Sequence, residues 1–128
     1  FLMVGGAAAQ KFGAELEEHQ QILLAVSDIL IEIYMAESAI LRTEKNVKRF
    51  GADKQKEQIA MSQLYLYNAI DVISRKAKEA IVSFAEGDEQ KMMLMGLKRF
   101  TKYQNQPNVV SLRTQIADKV NSENKYPF

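Results

Sequence analysis

Apolar positions recur at helical spacing along almost the whole chain. Between residues 14 and 49, Leu16, Leu23, Leu30 and Leu41 fall in one narrow band at ~100° per residue, and Val26, Ile33 and Ile40 widen it. Glu15, Glu17 and Glu18 stand at the start of this segment and Lys45, Lys48 and Arg49 at its end, each sign suited to the helix dipole there. Gly51 is the natural stop. A second helix opens after Asp53, a good N-cap residue, and runs to Gly87 with Ile59, Leu66, Ile70, Ile73, Ala77, Ile81 and Phe84 on its core stripe. The short Gly51-Ala52 connection folds it antiparallel to the first, as an αα-hairpin. A third helix over 88–103, capped by Asp88, places Met92, Met93, Gly96, Leu97, Phe100 and Tyr103 on one face. Asn105-Gln106-Pro107-Asn108 breaks the chain. A fourth helix follows, with Val109, Leu112, Ile116 and Val120 on its buried side. No segment alternates with a period of two. The expected fold is all-α: a four-helix antiparallel bundle over residues 14–128, built on a long αα-hairpin, with no sheet.

The opening FLMVGGAAA is apolar but has no basic stretch before it, so it does not read as a signal peptide. Residues 1–13 are expected to be a linker from an upstream domain, which makes the chain a piece of a larger protein.

The first helix carries more apolar surface than one face needs. Leu24, Ile31 and Met35 form a second stripe outside the main band. A helix apolar most of the way round is buried on more than one side. That stripe calls for a partner, either another domain or another subunit; the alternative is cover by the third and fourth helices. In the third helix, Leu94 and Met95 lie off the buried face among Lys91, Lys98, Arg99 and Lys102. Such a face suits a core or domain contact, with a membrane surface as the second reading.

Glu37 falls inside the main apolar arc, where a carboxylate must be paired, hydrogen-bonded or protonated. A hairpin turning at Gly51 sets Tyr65 opposite it, with Tyr67 half a turn away, and sets Arg75 near Ser27 and Asp28. The structural reading is a buried polar group, Glu37 with Tyr65 and Tyr67, that fixes register. The functional reading is a general base, for which no complementary acid or nucleophile is in view.

Composition narrows the chemistry. The 128 residues are 47% hydrophobic and 26% charged, with 17 basic and 16 acidic residues and a net charge of +1. A nucleic-acid-binding surface asks for a clear basic excess, so no nucleic acid is expected. With no cysteine, disulfides, zinc thiolates and cysteine nucleophiles are absent, and the composition is compatible with the cytoplasm. The single histidine, His19, has Leu16 rather than Glu three positions before it, so the Glu-x-x-His pairs of a di-iron bundle are not present. No nucleophile elbow, P-loop or dinucleotide fingerprint appears. No catalytic, cofactor-binding or metal residue is expected in this chain.

Residues 28–45, DILIEIYMAESAILRTEK, resemble the long helix that opens the extra C-terminal domain of the larger acyl-CoA dehydrogenases, the bacterial forms related to very-long-chain acyl-CoA dehydrogenase. The ending IADKVNSENKYPF resembles the tail of the same proteins. The resemblance implies a parent flavoprotein that introduces a double bond between the α and β carbons of an acyl-CoA in fatty-acid β-oxidation. Its FAD and catalytic glutamate would lie upstream, and this chain would be a non-catalytic helical domain packed on the dehydrogenase core or on a second subunit. In some relatives this domain also helps with membrane association. A free-standing helical interaction module is the alternative.

Overall fold

The computed structural model describes residues 1–125 and residue 127; Tyr126 and Phe128, which close the expected 14–128 domain and its tail segment, lie outside the described residues. The elements are α1 (Leu2–Phe12), a 3-10 segment (Gly13–Glu18), α2 (Gln20–Phe50), a 3-10 turn (Ala52–Lys54), α3 (Lys56–Phe84), α4 (Gly87–Phe100) and α5 (Val109–Glu123). No strand occurs among the described residues. The all-α expectation stands, with five α-helices among the described residues where periodicity gives four.

The added helix is α1. Leu2–Phe12 is helical rather than a linker, and it buries Val4 and Ala8, four residues apart on one face. Two glycines weaken its intrinsic propensity, but burial of that face overrides propensity. Gly13, at φ 52°, then ends α1, and the long helix begins at Gln20 rather than at residue 14.

Two compact units divide the chain: Phe1–Ile33 with Ile70–Tyr103, and Tyr34–Ala69 with Gln104–Phe128. In the first unit, Ile22, Ala25 and Ile29 of α2 share a core with Ala77, Ala80, Ile81 and Phe84 of α3. The α2 residues follow the three-and-four spacing of a helix-on-helix seam. Alanine on both helices allows a close approach of the axes. Val4 and Ala8 of α1 and Met93 and Leu97 of α4 complete this core. A Cβ at Gly96 would stand 3.1 Å from Sδ of Met3, so the glycine lets α4 approach α1.

The seam differs from the leucine band read from periodicity. Leu30, Ile33 and Leu41 are exposed, while Leu16, Leu23, Val26 and Ile40 are half-buried. Met92 and Phe100, expected on the buried face of the third helix, are exposed as well. The hairpin register also differs. Asp28 pairs with Lys76 at 2.9 Å, not with Arg75, which reaches Glu79 at 3.8 Å. The connection includes the Ala52–Lys54 turn and is longer than Gly51-Ala52 alone, which shifts the facing positions.

The second unit has a thinner core. Among the described residues Ala36, Ala60 and Ala69 are its buried apolar side chains, and α5 buries none. Polar bonds join its two hairpin helices: Thr43 Oγ1 meets Ser62 Oγ at 2.6 Å, and Asn46 Nδ2 donates to Gln58 Oε1 at 2.8 Å. Asn108 caps α5, with Ser111 N donating to Asn108 Oδ1 at 3.1 Å. On α5, Lys119 and Glu123 pair at 2.5 Å. The hydrogen bond from Lys119 holds the Glu123 carboxyl below its usual range, and the same bond raises the Lys119 ammonium. The pair's support for α5 is therefore lost as pH falls through the lowered value of Glu123, and again at high pH through the raised value of Lys119.

Two outcomes test this account. Ile81 is fully buried in the first unit, so Ile81→Ala should cost about 2–5 kcal/mol in urea denaturation. Gly87 holds φ 57°, and no atom lies within 4 Å of the place a methyl side chain would take. Gly87→Ala should therefore cost only the backbone penalty, about 1–2 kcal/mol in the same assay.

Candidate interaction surface

The residues singled out by the second stripe lie at the surface. Leu24 and Ile31, in the first unit, are each 58% exposed; Met35, in the second, is 48% exposed. Met95 on α4 is 68% exposed. Leu94 is the exception. It is half-buried and packs against the first unit's own core, so it is not a free contact residue. Its direction lies next to Met93 and Leu97, which the core takes up.

Glu37 requires a correction. It is exposed, and no charged or polar side chain is buried among the described residues. The physical reason is the seam. Ala36 occupies the buried position, and one residue further turns the side chain ~100° away from it. Tyr65 and Tyr67 are half-buried.

The structure adds surface that periodicity assigns to the interior. On α2, Leu30 and Ile33 are exposed in the first unit, and Leu41 in the second. On α4, Met92 and Phe100 join Met95. Large apolar side chains in such number mark an interaction surface rather than a solvated one. The signal that would have located them is the alanine spacing of the seam, since a helix face is outward wherever the small residues are not.

Groove geometry adds little catalytic potential. In the first unit a groove of ≈ 890 Å³ is lined by Phe12, Glu18, His19, Leu24, Phe84 and Glu86, among others. His19 stacks on Phe12 with ring centroids 3.8 Å apart, and Lys11 donates to the Phe84 carbonyl. In the second unit a groove of ≈ 510 Å³ has Ile40, Val47, Ile59 and Leu66 along it. Among the described residues no three His, Cys, Asp or Glu side chains group as metal ligands. No helix among them is long and apolar enough to cross a membrane.

Glu37→Gln tests its corrected placement. The substitution should change stability by less than about 0.5 kcal/mol in chemical denaturation, as for an exposed side chain. A loss of several kcal/mol would restore a buried role.

Residues 1–99 match the family model described as acyl-CoA dehydrogenase, C-terminal domain. A probable acyl-CoA dehydrogenase of Bacillus subtilis (strain 168) is 34% identical over 125 residues, which cover 98% of this chain and 21% of that protein. The crystal structure of an acyl-CoA dehydrogenase complexed with FAD from Bacillus anthracis superposes with a TM-score of 0.96 at 36% identity, covering 99% of this chain and 22% of that one. The chain thus spans about one fifth of the length of these relatives. Helix pattern, fold and sequence agree, and the chain belongs to the family of acyl-CoA dehydrogenase C-terminal domains.

Proposed function

We propose that this chain is the non-catalytic C-terminal helical domain of an FAD-dependent acyl-CoA dehydrogenase and packs on the dehydrogenase core. The observation that carries the reading is coverage: near-complete matching of this chain against one fifth of relatives named acyl-CoA dehydrogenase, one of them complexed with FAD. The parent would desaturate an acyl-CoA between its α and β carbons in fatty-acid β-oxidation, in the cytoplasm. The related very-long-chain enzymes supply the functional likeness.

The flavin belongs to the core in this reading. The residues here do not fit it: the ≈ 890 Å³ groove of the first unit has Glu18, Asp28, Glu79 and Glu86 against Lys11 and Lys76, a poor setting for a diphosphate. What the chain offers is apolar contact area. Ile31 in the first unit and Met35 in the second are the side chains assigned to the core, because each is large, apolar and outward on α2. The reading needs no lipid contact.

Ile31→Asp is the discriminating substitution. The 128-residue chain should keep its unfolding stability within about 0.5 kcal/mol, since Ile31 is outside its own core. Its affinity for the separately produced remainder of the parent, measured by calorimetry, should fall at least tenfold. A drop of several kcal/mol in stability would assign Ile31 to the domain's interior and remove the support for the reading. Flavin absorbance or acyl-CoA oxidation by the purified chain alone would overturn it outright.

A further inference from the structure

Charge is segregated along this chain although its sum is near zero. From Phe12 to Leu41 there are six carboxylates and no Lys or Arg; from Gln90 to Ala117 there are five cations and no carboxylate. The first unit displays both signs at its surface. On α4, Lys98 and Arg99 are exposed and neither forms an ion pair among the described residues. Met92 and Met95 are exposed on the same helix. At ~100° per residue, Met95 and Arg99 point nearly the same way, with Met92 and Lys98 at the edges of that arc. A solvated helix face usually mixes both charge signs. Here Asp88 is matched by Lys91 at 3.2 Å, which leaves Lys98 and Arg99 as a net basic excess beside thioethers, which adapt to irregular apolar surfaces.

The opposite half is the ≈ 890 Å³ groove of the same unit. Phe12, Leu24 and Phe84 give it apolar wall, and four carboxylates face two lysines along its lining. Both lysines are engaged, Lys76 with Asp28 and Lys11 with the Phe84 carbonyl. Glu18 and Glu86 are left with no ion pair among the described residues. The groove is thus net acidic over an apolar wall, and the α4 face is net basic around apolar knobs.

We propose that the outer face of α4 seats in this groove of a second copy of the chain, with Met95 against Leu24 and Phe12, and Lys98 and Arg99 toward Glu18 and Glu86. Each copy carries both halves, and in the proposed pair the seating is reciprocal about a two-fold axis. The proposal does not rest on docking to a dehydrogenase core. It uses Leu24 and Met95, whereas that reading uses Ile31 and Met35.

The test is sedimentation velocity of the 128-residue chain, whose monomer mass is 14.5 kDa. At low salt the chain should sediment as a dimer and at ~0.5 M salt as a monomer, because rim ion pairs are screened within a few ångströms there. Met95→Ser should weaken the dimer at least tenfold. Lys98→Glu with Arg99→Glu, and separately Glu18→Lys with Glu86→Lys, should each give monomers with the circular dichroism of the parent chain. An equimolar mixture of the two charge-reversed chains should recover the dimer mass. A wild-type monomer at low salt overturns the proposal, and so does a dimer that survives either reversal. Failure of the mixture to reassociate overturns it as well, provided both chains are folded. Binding of the monomer to anionic phosphatidylglycerol vesicles without self-association would reassign the basic face to lipid. Ile31→Asp should leave this dimer intact, which keeps the result separate from the docking reading.

Discussion

Two helices that meet through alanine can lie close together only while each facing side chain stays small. Ala25, Ala77 and Ala80 impose that limit in the first unit, and Ala36, Ala60 and Ala69 are the buried small residues of the second. Much of the remaining architecture depends on it. With the seam taken by alanine and a few isoleucines, the bulkier leucines and methionines are displaced outward. The exposed apolar surface of α2 is thus the other face of a tightly spaced hairpin, and not a packing failure.

This explains which parts of the fold are legible in the sequence. Breaks are readable because they depend on local backbone chemistry, and Gly51 and Gly87 hold positive φ; the expected caps are not, since Asp53 falls inside the 3-10 turn and Asp88 lies inside α4, whose N-cap is Glu86. The all-α class is readable from spacing alone. The choice of buried stripe is not, because Leu16, Leu23, Leu30 and Leu41 outweigh alanine in any hydrophobic periodicity while the seam selects for size. Periodicity misplaces Glu37 for the same reason, by one residue. Leu24, Ile31, Met35 and Met95 stand outside the interior as surplus apolar positions, whereas Leu94 is absorbed by the core beside Met93 and Leu97. The helix at Leu2–Phe12 is hidden by its glycines, whose cost is outweighed only by burial that the sequence does not display.

The two units divide the work unequally. The first has large fully buried side chains, Ile29 and Ile81, and contributions from four helices. The second is held by alanines and side-chain hydrogen bonds, with α5 lying on it without a buried residue. A thin interior of this kind opens locally at lower free energy than a thick one. The chain as a whole spans about one fifth of the length of the relatives it matches.

The polar rungs of the second unit bear on alignment. A run of alanines offers nearly equivalent pairings one heptad apart, a slide of about 10 Å along the axis. Such a slide would strand the amides of Asn46 and Gln58 and the hydroxyls of Thr43 and Ser62 opposite hydrocarbon. These four side chains therefore act as index marks, which let a smooth, small-residue interface admit a single alignment.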